Sequence, residues 1–140
     1  MTYLLSFFTL LGLLAAPQRI SVEVVSSTAG GRVYVAVYDN DDNFREDVFV
    51  SNAVAKLAAA DDRTELDLQV PTEGRYVVAA FHDLNGNGEL DRNFLGVPTE
   101  PYGFSKVPPS KWRAPSFGEI ATRLAASDRL TIEVRRWSDY

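Results

Sequence analysis

Hydrophobic and polar residues alternate along most of the chain. Every second residue is apolar in "ISVEVVS" (20–26), "RVYVAVYD" (32–39), "TELDLQVP" (64–71) and "RLTIEVRRW" (129–137), and this period predicts strands with one buried face. "RYVVAAFHD" (75–83) is apolar on both faces, which predicts a central strand. Five such strands joined by turn-rich links predict an all-β fold, an antiparallel β-sandwich.

The segments between these strands predict three further features. "AGG" (29–31) is a turn signal, so we expect the first two strands to form a hairpin. Residues 42–62 favour a short helix toward their end, where helix formers are frequent, and a strand that crosses between the sheets. Residues 96–124 contain five of the seven prolines and four aromatic residues, which predicts a long ordered loop with a helical turn in "FGEIATRL" (117–124).

The N-terminus, "MTYLLSFFTLLGLLAAPQR", has the character of an export signal. Its apolar run over residues 3–16 has the length of a signal-peptide core and is too short to span a membrane. No Lys or Arg precedes the run, and an N-terminal anchor helix or a buried segment is the alternative interpretation. We expect residues 1–17 to be a signal peptide and residues 18–140 to form one domain, exported to the periplasm or the cell exterior, with no membrane span after cleavage.

Composition excludes several kinds of function. The chain has 140 residues, 46% of them hydrophobic, which suits one folded domain. A formal charge of −5 and a pI near 4.8 argue against a nucleic-acid partner. The absence of cysteine excludes a disulfide framework and a thiolate nucleophile. We expect the mature protein to be a monomer.

The stretch "FHDLNGNGELDRNFLG" (81–96) resembles a calcium-binding loop. Its oxygen-bearing side chains occupy positions 1, 3, 5 and 9, with Gly88 at position 6, which is the spacing at the start of an EF-hand loop. Alternate side chains of a tight loop point inward, and the glycine permits the sharp turn. The predicted oxygen ligands of Ca²⁺ are Asp83, Asn85, Asn87, Glu89 through its carbonyl, and Asp91.

The same stretch departs from an EF-hand in two ways. Position 12 is Phe94 instead of a bidentate Glu, and the loop follows a predicted strand instead of a helix. With only two acidic ligands, we expect weak affinity, about 10⁻⁴–10⁻³ M. The alternative is a hairpin turn without a metal, because Asn and Gly adopt positive φ easily.

Several motifs together resemble a known family. The string "VPTEGRYVVAAFHDLNGNGELDRNFLGVPTEPYGFS" (70–105), followed by "PSFGEIATRL" (115–124), is similar to the exported bacterial proteins grouped as domain of unknown function 2141. The resemblance implies export and fold, since that family has no established activity. "EGRYVVAAFHDLNGNGELD" (73–91) also resembles the strand-and-loop element of prealbumin-like and B-type repeat domains of surface adhesins, where such loops hold calcium. This implies an Ig-like or prealbumin-like sandwich.

The residues offer little for catalysis. His82 is the one histidine, and its neighbour Asp83 points to the opposite face of the strand, so a direct dyad is not expected. No nucleophile-elbow pattern surrounds Ser105 or Ser116, and one His without Cys is a poor start for a zinc site. We therefore expect no catalytic residues and no enzyme. The alternative is a hydrolase that uses His82.

The aromatic residues after the predicted calcium loop suggest a binding surface. Tyr102, Phe104 and Trp112, together with His82, are the candidate ligand-binding residues, and the partner would be a protein or glycan at the cell envelope. The alternative is that these rings fold inward as a lid and the domain is purely structural. Tyr76, two residues after Gly74, fits a tyrosine corner, in which the hydroxyl bonds to nearby backbone.

Overall fold

The computed structural model describes residues 15–140. Residues 1–14, which make up most of the predicted signal peptide, lie outside the described residues. The described part contains eight strands, two short α-helices and a 3-10 turn at Trp137–Asp139. In chain order the elements are β1 (Gln18–Ser26), β2 (Arg32–Tyr38), α1 (Asp41–Arg45), β3 (Ser51–Lys56), β4 (Arg63–Val70), β5 (Gly74–Asp83), β6 (Tyr102–Phe104), α2 (Phe117–Ile120), β7 (Thr122–Leu124) and β8 (Arg129–Val134).

The strands form two sheets packed face to face. One sheet has the order β4-β1-β8, and the other has the order β3-β2-β5-β6, with β7 paired to the start of β5. The pairs are antiparallel except for β1 and β8, which run parallel. The predicted all-β sandwich is therefore confirmed, and β5 is the central strand that its two apolar faces indicated.

Alternate residues of the strands form the core between the sheets. Val22 and Val24 of β1, Val35 of β2 and Ile132 of β8 are at most 1% exposed. Full burial of such a side chain stabilises the fold by about 1.5–3 kcal/mol. The period of two thus identifies the core-facing residues directly.

The predicted hairpin of the first two strands is wrong. β1 pairs with β4 and β8, whereas β2 pairs with β3 and β5 in the other sheet. Gly30 and Gly31, with φ of +77° and +72°, turn the chain from one sheet to the other. Alternation fixes which residues face the core, but it does not fix which strands pair.

The helix in residues 42–62 lies at the opposite end from the predicted one. α1 begins the segment, and Asn40 caps it by accepting a hydrogen bond from the Asn43 backbone N–H at 2.8 Å. The alanine-rich part that favours helix contains β3, which pairs with β2 along its length. Pairing in the sheet outweighs local helix propensity here.

A smaller apolar cluster lies outside the main core, beneath α1 and α2. The helices contribute Phe44 and Phe117 to it, and β6 contributes Phe104. Segment 96–124 is consequently not one loop, because it contains β6, α2 and β7, although the helical turn lies where it was predicted. The residues of this cluster are Tyr38, Val77, Ile120 and Ala121, with Ala36, Phe44, Ala79, Phe104 and Phe117 packed against them.

Hydrogen bonds at two places join the edges of the sandwich, one between backbone groups and one from a side chain to the backbone. Tyr102 and Arg135 exchange two backbone hydrogen bonds, of 2.9 and 3.0 Å, which join β6 to the residue after β8 in the opposite sheet. The Tyr76 hydroxyl donates to the Thr72 carbonyl at 2.8 Å. The predicted tyrosine corner is confirmed.

Candidate metal loop and aromatic surface

The candidate metal loop begins at the last residue of β5. Asp83 has no exposed surface, and its two carboxylate oxygens accept hydrogen bonds from the backbone N–H groups of Gly86 and Gly88, both at 2.8 Å. Both glycines have φ of +78°, a conformation that favours glycine. The chain therefore folds around the Asp83 carboxylate.

Asp91 closes the loop from its other end. Its two carboxylate oxygens accept from the amide groups of Asn85, at 2.5 Å, and Asn87, at 2.8 Å. The amide oxygens in turn accept backbone N–H groups, from Asn87 and from Glu89, at 3.2 and 3.0 Å. Hydrogen bonds thus connect Asn85, Asn87, Glu89 and Asp91 within one loop, and their role as metal ligands stays a prediction.

Glu100 supports this loop, and the sequence analysis missed it. The side chain is 5% exposed, and its oxygens accept from the backbone N–H groups of Leu84, at 2.9 Å, and Asp91, at 3.2 Å. It thereby joins the first and last parts of the loop. The available signal is that Glu100 is the one acidic residue among residues 92–114.

The loop concentrates negative charge in a partly desolvated place. In the described part of the chain, neither Asp83, Asp91 nor Glu100 forms a salt bridge. Backbone N–H dipoles stabilise these carboxylates, but no cationic side chain of the described residues neutralises them. Within residues 15–140, no group of three or more His, Cys, Asp or Glu side chains is placed to hold a metal ion. Any ion must therefore depend on amide and carbonyl oxygens as well as on Asp83 and Asp91.

His82 lies inside the protein and faces away from the candidate metal loop. It has no exposed surface, and its Nε2 donates to the Gly30 carbonyl, which can only accept. Its Nδ1 consequently accepts from the Ser26 hydroxyl, at 2.8 Å. Both ring nitrogens are engaged within the protein, and Asp83 has different partners, so the two neighbours form no dyad in this arrangement.

Tyr102 and Phe104 of β6 are half-buried. The Phe104 ring packs edge-on against Phe44, with centroids 6.2 Å apart. Tyr102 stacks on Tyr140, with centroids 5.1 Å apart, and the Tyr140 hydroxyl donates to the Tyr102 carbonyl at 2.6 Å. Burial raises the pKa of both tyrosine hydroxyls, so both remain neutral at physiological pH. These contacts are those of inward-packed rings.

Trp112 is different, because 79% of its surface is exposed. Its ring packs edge-on against Trp137, with centroids 5.1 Å apart, and Lys111 Nζ lies 4.6 Å from the Trp137 ring centroid. Lys111 Nζ also donates to the Tyr140 carbonyl, at 2.8 Å. The structure therefore divides the predicted aromatic set into two packed rings and one exposed ring.

Two shallow depressions in the described part of the chain, of about 220 and 400 Å³, are not lined by the predicted site residues. The larger contains Ser26 and Arg135, and the smaller contains Glu65 and Asp128.

Residues 20–132 match the family described as "Uncharacterized protein conserved in bacteria (DUF2141)". The chain belongs to the DUF2141 family. That family description assigns no activity to the candidate metal loop or to the aromatic residues. Comparisons with curated proteins and with solved structures give no match. Among the helices of residues 15–140, none is both long and apolar enough to cross a membrane.

Proposed function

We propose that this DUF2141 protein is an exported, non-catalytic β-sandwich that acts as a binding or accessory module at the cell envelope, and that its candidate metal loop binds Ca²⁺. One observation carries the calcium part of the proposal. The amide groups of Asn85 and Asn87 both donate to the Asp91 carboxylate, at 2.5 and 2.8 Å, which brings three of the five predicted ligand residues together.

Charge and ligand chemistry support the calcium proposal. Ca²⁺ prefers six to eight oxygen ligands in a flexible arrangement, and the loop supplies carboxylate, amide and carbonyl oxygens. A divalent cation would also offset the buried charges of Asp83 and Glu100, which have no salt-bridge partner among residues 15–140. The donor set therefore fits a hard cation better than zinc, which favours nitrogen and sulfur ligands.

Calcium binding has a structural cost in this loop. The nitrogen atoms of the Asn85 and Asn87 amides face Asp91, so both amides must turn to direct oxygen at an ion. The turn gives up the hydrogen bonds that their oxygens accept from backbone N–H groups. Such bonds contribute about 0.5–1.5 kcal/mol each, which is consistent with affinity near 10⁻⁴–10⁻³ M.

Thermal unfolding tests the calcium proposal. The protein is melted in EDTA and across a millimolar CaCl₂ series, with MgCl₂ as the matched ion. Asp91→Asn removes charge from the loop, and Asp67→Asn removes an exposed charge from β4 as the control. A calcium excess of about a hundredfold over Kd adds about 2.7 kcal/mol, so we expect the melting temperature to rise by several degrees.

The control variants decide between calcium and general ionic effects. We expect Asp67→Asn to keep the calcium response and Asp91→Asn to lose most of it. No calcium-specific rise at 10-fold excess over the expected Kd would leave the second candidate, a purely structural loop. This candidate is supported by the observation that the carboxylates of Asp83 and Asp91 already accept hydrogen bonds from donors within the loop.

Export is the other part of the proposal, and its support is the apolar run at residues 3–16. Fractionation of a bacterial host that expresses the full chain tests it, together with N-terminal sequencing of the product. We expect a processed protein in the periplasm or medium that begins near Gln18. An unprocessed protein in the cytoplasm would contradict export without affecting the calcium test.

A non-catalytic role is supported by the placement of His82. Its two ring nitrogens bond Ser26 and Gly30 inside the protein, so no ligand can reach them without rearrangement of the core. We therefore leave His82 out of the binding surface. We propose that the exposed Trp112 belongs to the binding surface of the module, while Tyr102 and Phe104 hold the surrounding chain in place.

A further inference from the structure

The most exposed apolar side chains all lie in one segment. Among large hydrophobic residues of the described chain, four are at least 72% exposed, and the others are at most 51% exposed. A segment that leaves so much apolar surface in water is a candidate for contact with another apolar phase. The four residues are Phe94 at 95%, Trp112 at 79%, and Leu95 and Val107, each at 72%.

The same segment is basic, in contrast to the rest of the chain. Residues 92–114 contain four of the fourteen Lys and Arg residues but one of the nineteen acidic residues, namely Glu100. Arg113 pairs with Glu119 and Lys111 donates to the backbone oxygen of Tyr140, whereas Arg92 and Lys106 form no salt bridge within residues 15–140. The segment therefore combines exposed apolar residues with positive charge on a protein whose net charge is −5.

Phe94 and Leu95 are held in a fixed turn. The Asn93 side-chain oxygen accepts from the backbone N–H groups of Leu95, at 2.9 Å, and Val97, at 3.1 Å. Gly96 has φ of +78°, and its N–H donates to the Asn93 carbonyl at 2.9 Å. A braced turn of this kind presents its apolar side chains without losing much conformational entropy on contact.

Contacts connect the base of this turn to the exposed tryptophan. The Arg136 guanidinium donates to the Thr99 carbonyl at 3.3 Å, and Thr99 donates to the Asp91 carbonyl at the base of the turn. Trp137 follows Arg136 and packs on Trp112. Thr99, Arg136 and Trp137 thus link the base of the turn to Trp112.

We propose that this surface, formed by Phe94, Leu95 and Trp112 with Arg92, Lys106 and Lys111, docks onto an anionic phospholipid membrane. A lipid interface can bury isolated apolar side chains such as Phe94 and Leu95, and it favours Trp, Arg and Lys at the depth of the headgroups. Anionic headgroups complement the basic residues of the segment.

A protein partner is less well matched to these side chains. Energetically important residues of protein interfaces lie in packed patches surrounded by further contacts. Phe94, at 95% exposure, has no such surroundings. The membrane proposal rests on the proposed envelope location, but it does not depend on calcium, so its test is performed in EDTA.

Tryptophan fluorescence tests the proposal in the full chain, because Trp112 lies in this surface, Trp137 packs against it, and the N-terminal segment contains no tryptophan. The protein is titrated with vesicles of phosphatidylcholine alone and of phosphatidylcholine with phosphatidylglycerol at 3:1, with and without brominated acyl chains. The expected result is a blue shift and quenching by brominated lipid with the anionic vesicles. Raised salt should weaken both effects.

The variants distinguish docking through this surface from nonspecific hydrophobic binding. We expect Phe94→Ser with Leu95→Ser to reduce the apparent partition coefficient for anionic vesicles by about tenfold or more. Phe49→Ser, at an apolar position outside the surface that is 47% exposed, is the control and should leave the partition coefficient unchanged. Equal response to neutral vesicles, no quenching, or equal loss in the control would overturn the proposal. Cytoplasmic retention in the fractionation experiment would contradict the envelope location separately.

Discussion

The Nδ1 atom of His82 lies 2.8 Å from the Ser26 hydroxyl, which joins the end of β1 in one sheet to β5 in the other. Nε2 of the same ring donates to the Gly30 carbonyl in the turn that connects the two sheets. Ser26 also accepts from the Thr28 backbone N–H, at 3.3 Å. The histidine is therefore an internal cross-link between the sheets at the point where the chain passes from one to the other.

We expect His82→Ala to lower the free energy of unfolding by about 2–5 kcal/mol, since it leaves a cavity and an unsatisfied Gly30 carbonyl. Ser26→Ala should cost less, about 1–3 kcal/mol, because it removes only the donor to Nδ1. Urea unfolding followed by circular dichroism measures both. A change below about 0.5 kcal/mol in His82→Ala would show that the cross-link does not hold the sheets together.

The two glycines of the connecting turn provide a matched pair of variants. Both have positive φ, but a Cβ on Gly31 would lie 2.6 Å from the Asp83 carbonyl oxygen and 3.0 Å from His82 Nε2, whereas a Cβ on Gly30 would meet nothing within 4 Å. We expect Gly30→Ala to cost about 1–2 kcal/mol from backbone strain alone. Gly31→Ala should cost a further 1–3 kcal/mol or so from the clash, measured by the same urea unfolding. Equal losses would contradict the close approach.

The contribution of the tyrosine corner to stability can be tested by removing one oxygen atom. Tyr76→Phe removes the hydroxyl that donates to the Thr72 carbonyl, so we expect a loss of about 0.5–1.5 kcal/mol in the free energy of unfolding. Tyr34→Phe is the control, because Tyr34 stacks on Phe81 at 4.9 Å between centroids through its ring. If both variants lost the same stability, the corner hydrogen bond would have no particular role.

Much of the sandwich could be predicted from the sequence because alternation reports burial residue by residue. The prediction of strand pairing failed at the β1–β2 connection. Core residues such as Val22 and Val35 occur at every second position whichever strand their own strand pairs with. It failed again at β3, where Ala53 and Ala55 favour a helix locally but complete a sheet beside β2. Both errors concern contacts between residues far apart in the chain, which local patterns do not encode.

Within the candidate metal loop, short spacing and glycines determine the path of the chain. Asn85 and Asn87 donate to Asp91, and Gly86 and Gly88 donate to Asp83, whereas metal binding by these residues stays a prediction. Glu100 was missed because it returns from a distant part of the chain. Exposure of Phe94 could not be predicted either, because an apolar residue in a loop can pack inward or remain in solvent.

The salt bridge beside α2 predicts a specific acid sensitivity. The Arg113 guanidinium, together with the Ser116 backbone N–H, lowers the pKa of Glu119 from 4.5 to about 2. A carboxylate whose pKa is lower in the folded state contributes stability that is present above pH 4.5 and is lost as the pH falls toward 2. We expect the melting temperature of the wild type to exceed that of Glu119→Gln at pH 7, by a small amount because the pair is exposed. The difference should shrink between pH 5 and 2, and a constant difference would contradict the lowered pKa.

Glu100 gives the sharpest test of how the candidate metal loop is held. Its two carboxylate oxygens accept separate backbone N–H groups, from Leu84 and Asp91. An amide at this position keeps one acceptor but directs an NH₂ group at the other N–H, which then lacks a partner in a buried place. We therefore expect Glu100→Gln to lower the free energy of unfolding in EDTA by about 1–3 kcal/mol. Glu89→Gln, an exposed change in the same loop, is the control for lost charge and should have little effect. If the two variants were equally stable, hydrogen bonding by Glu100 would not be what fixes the loop.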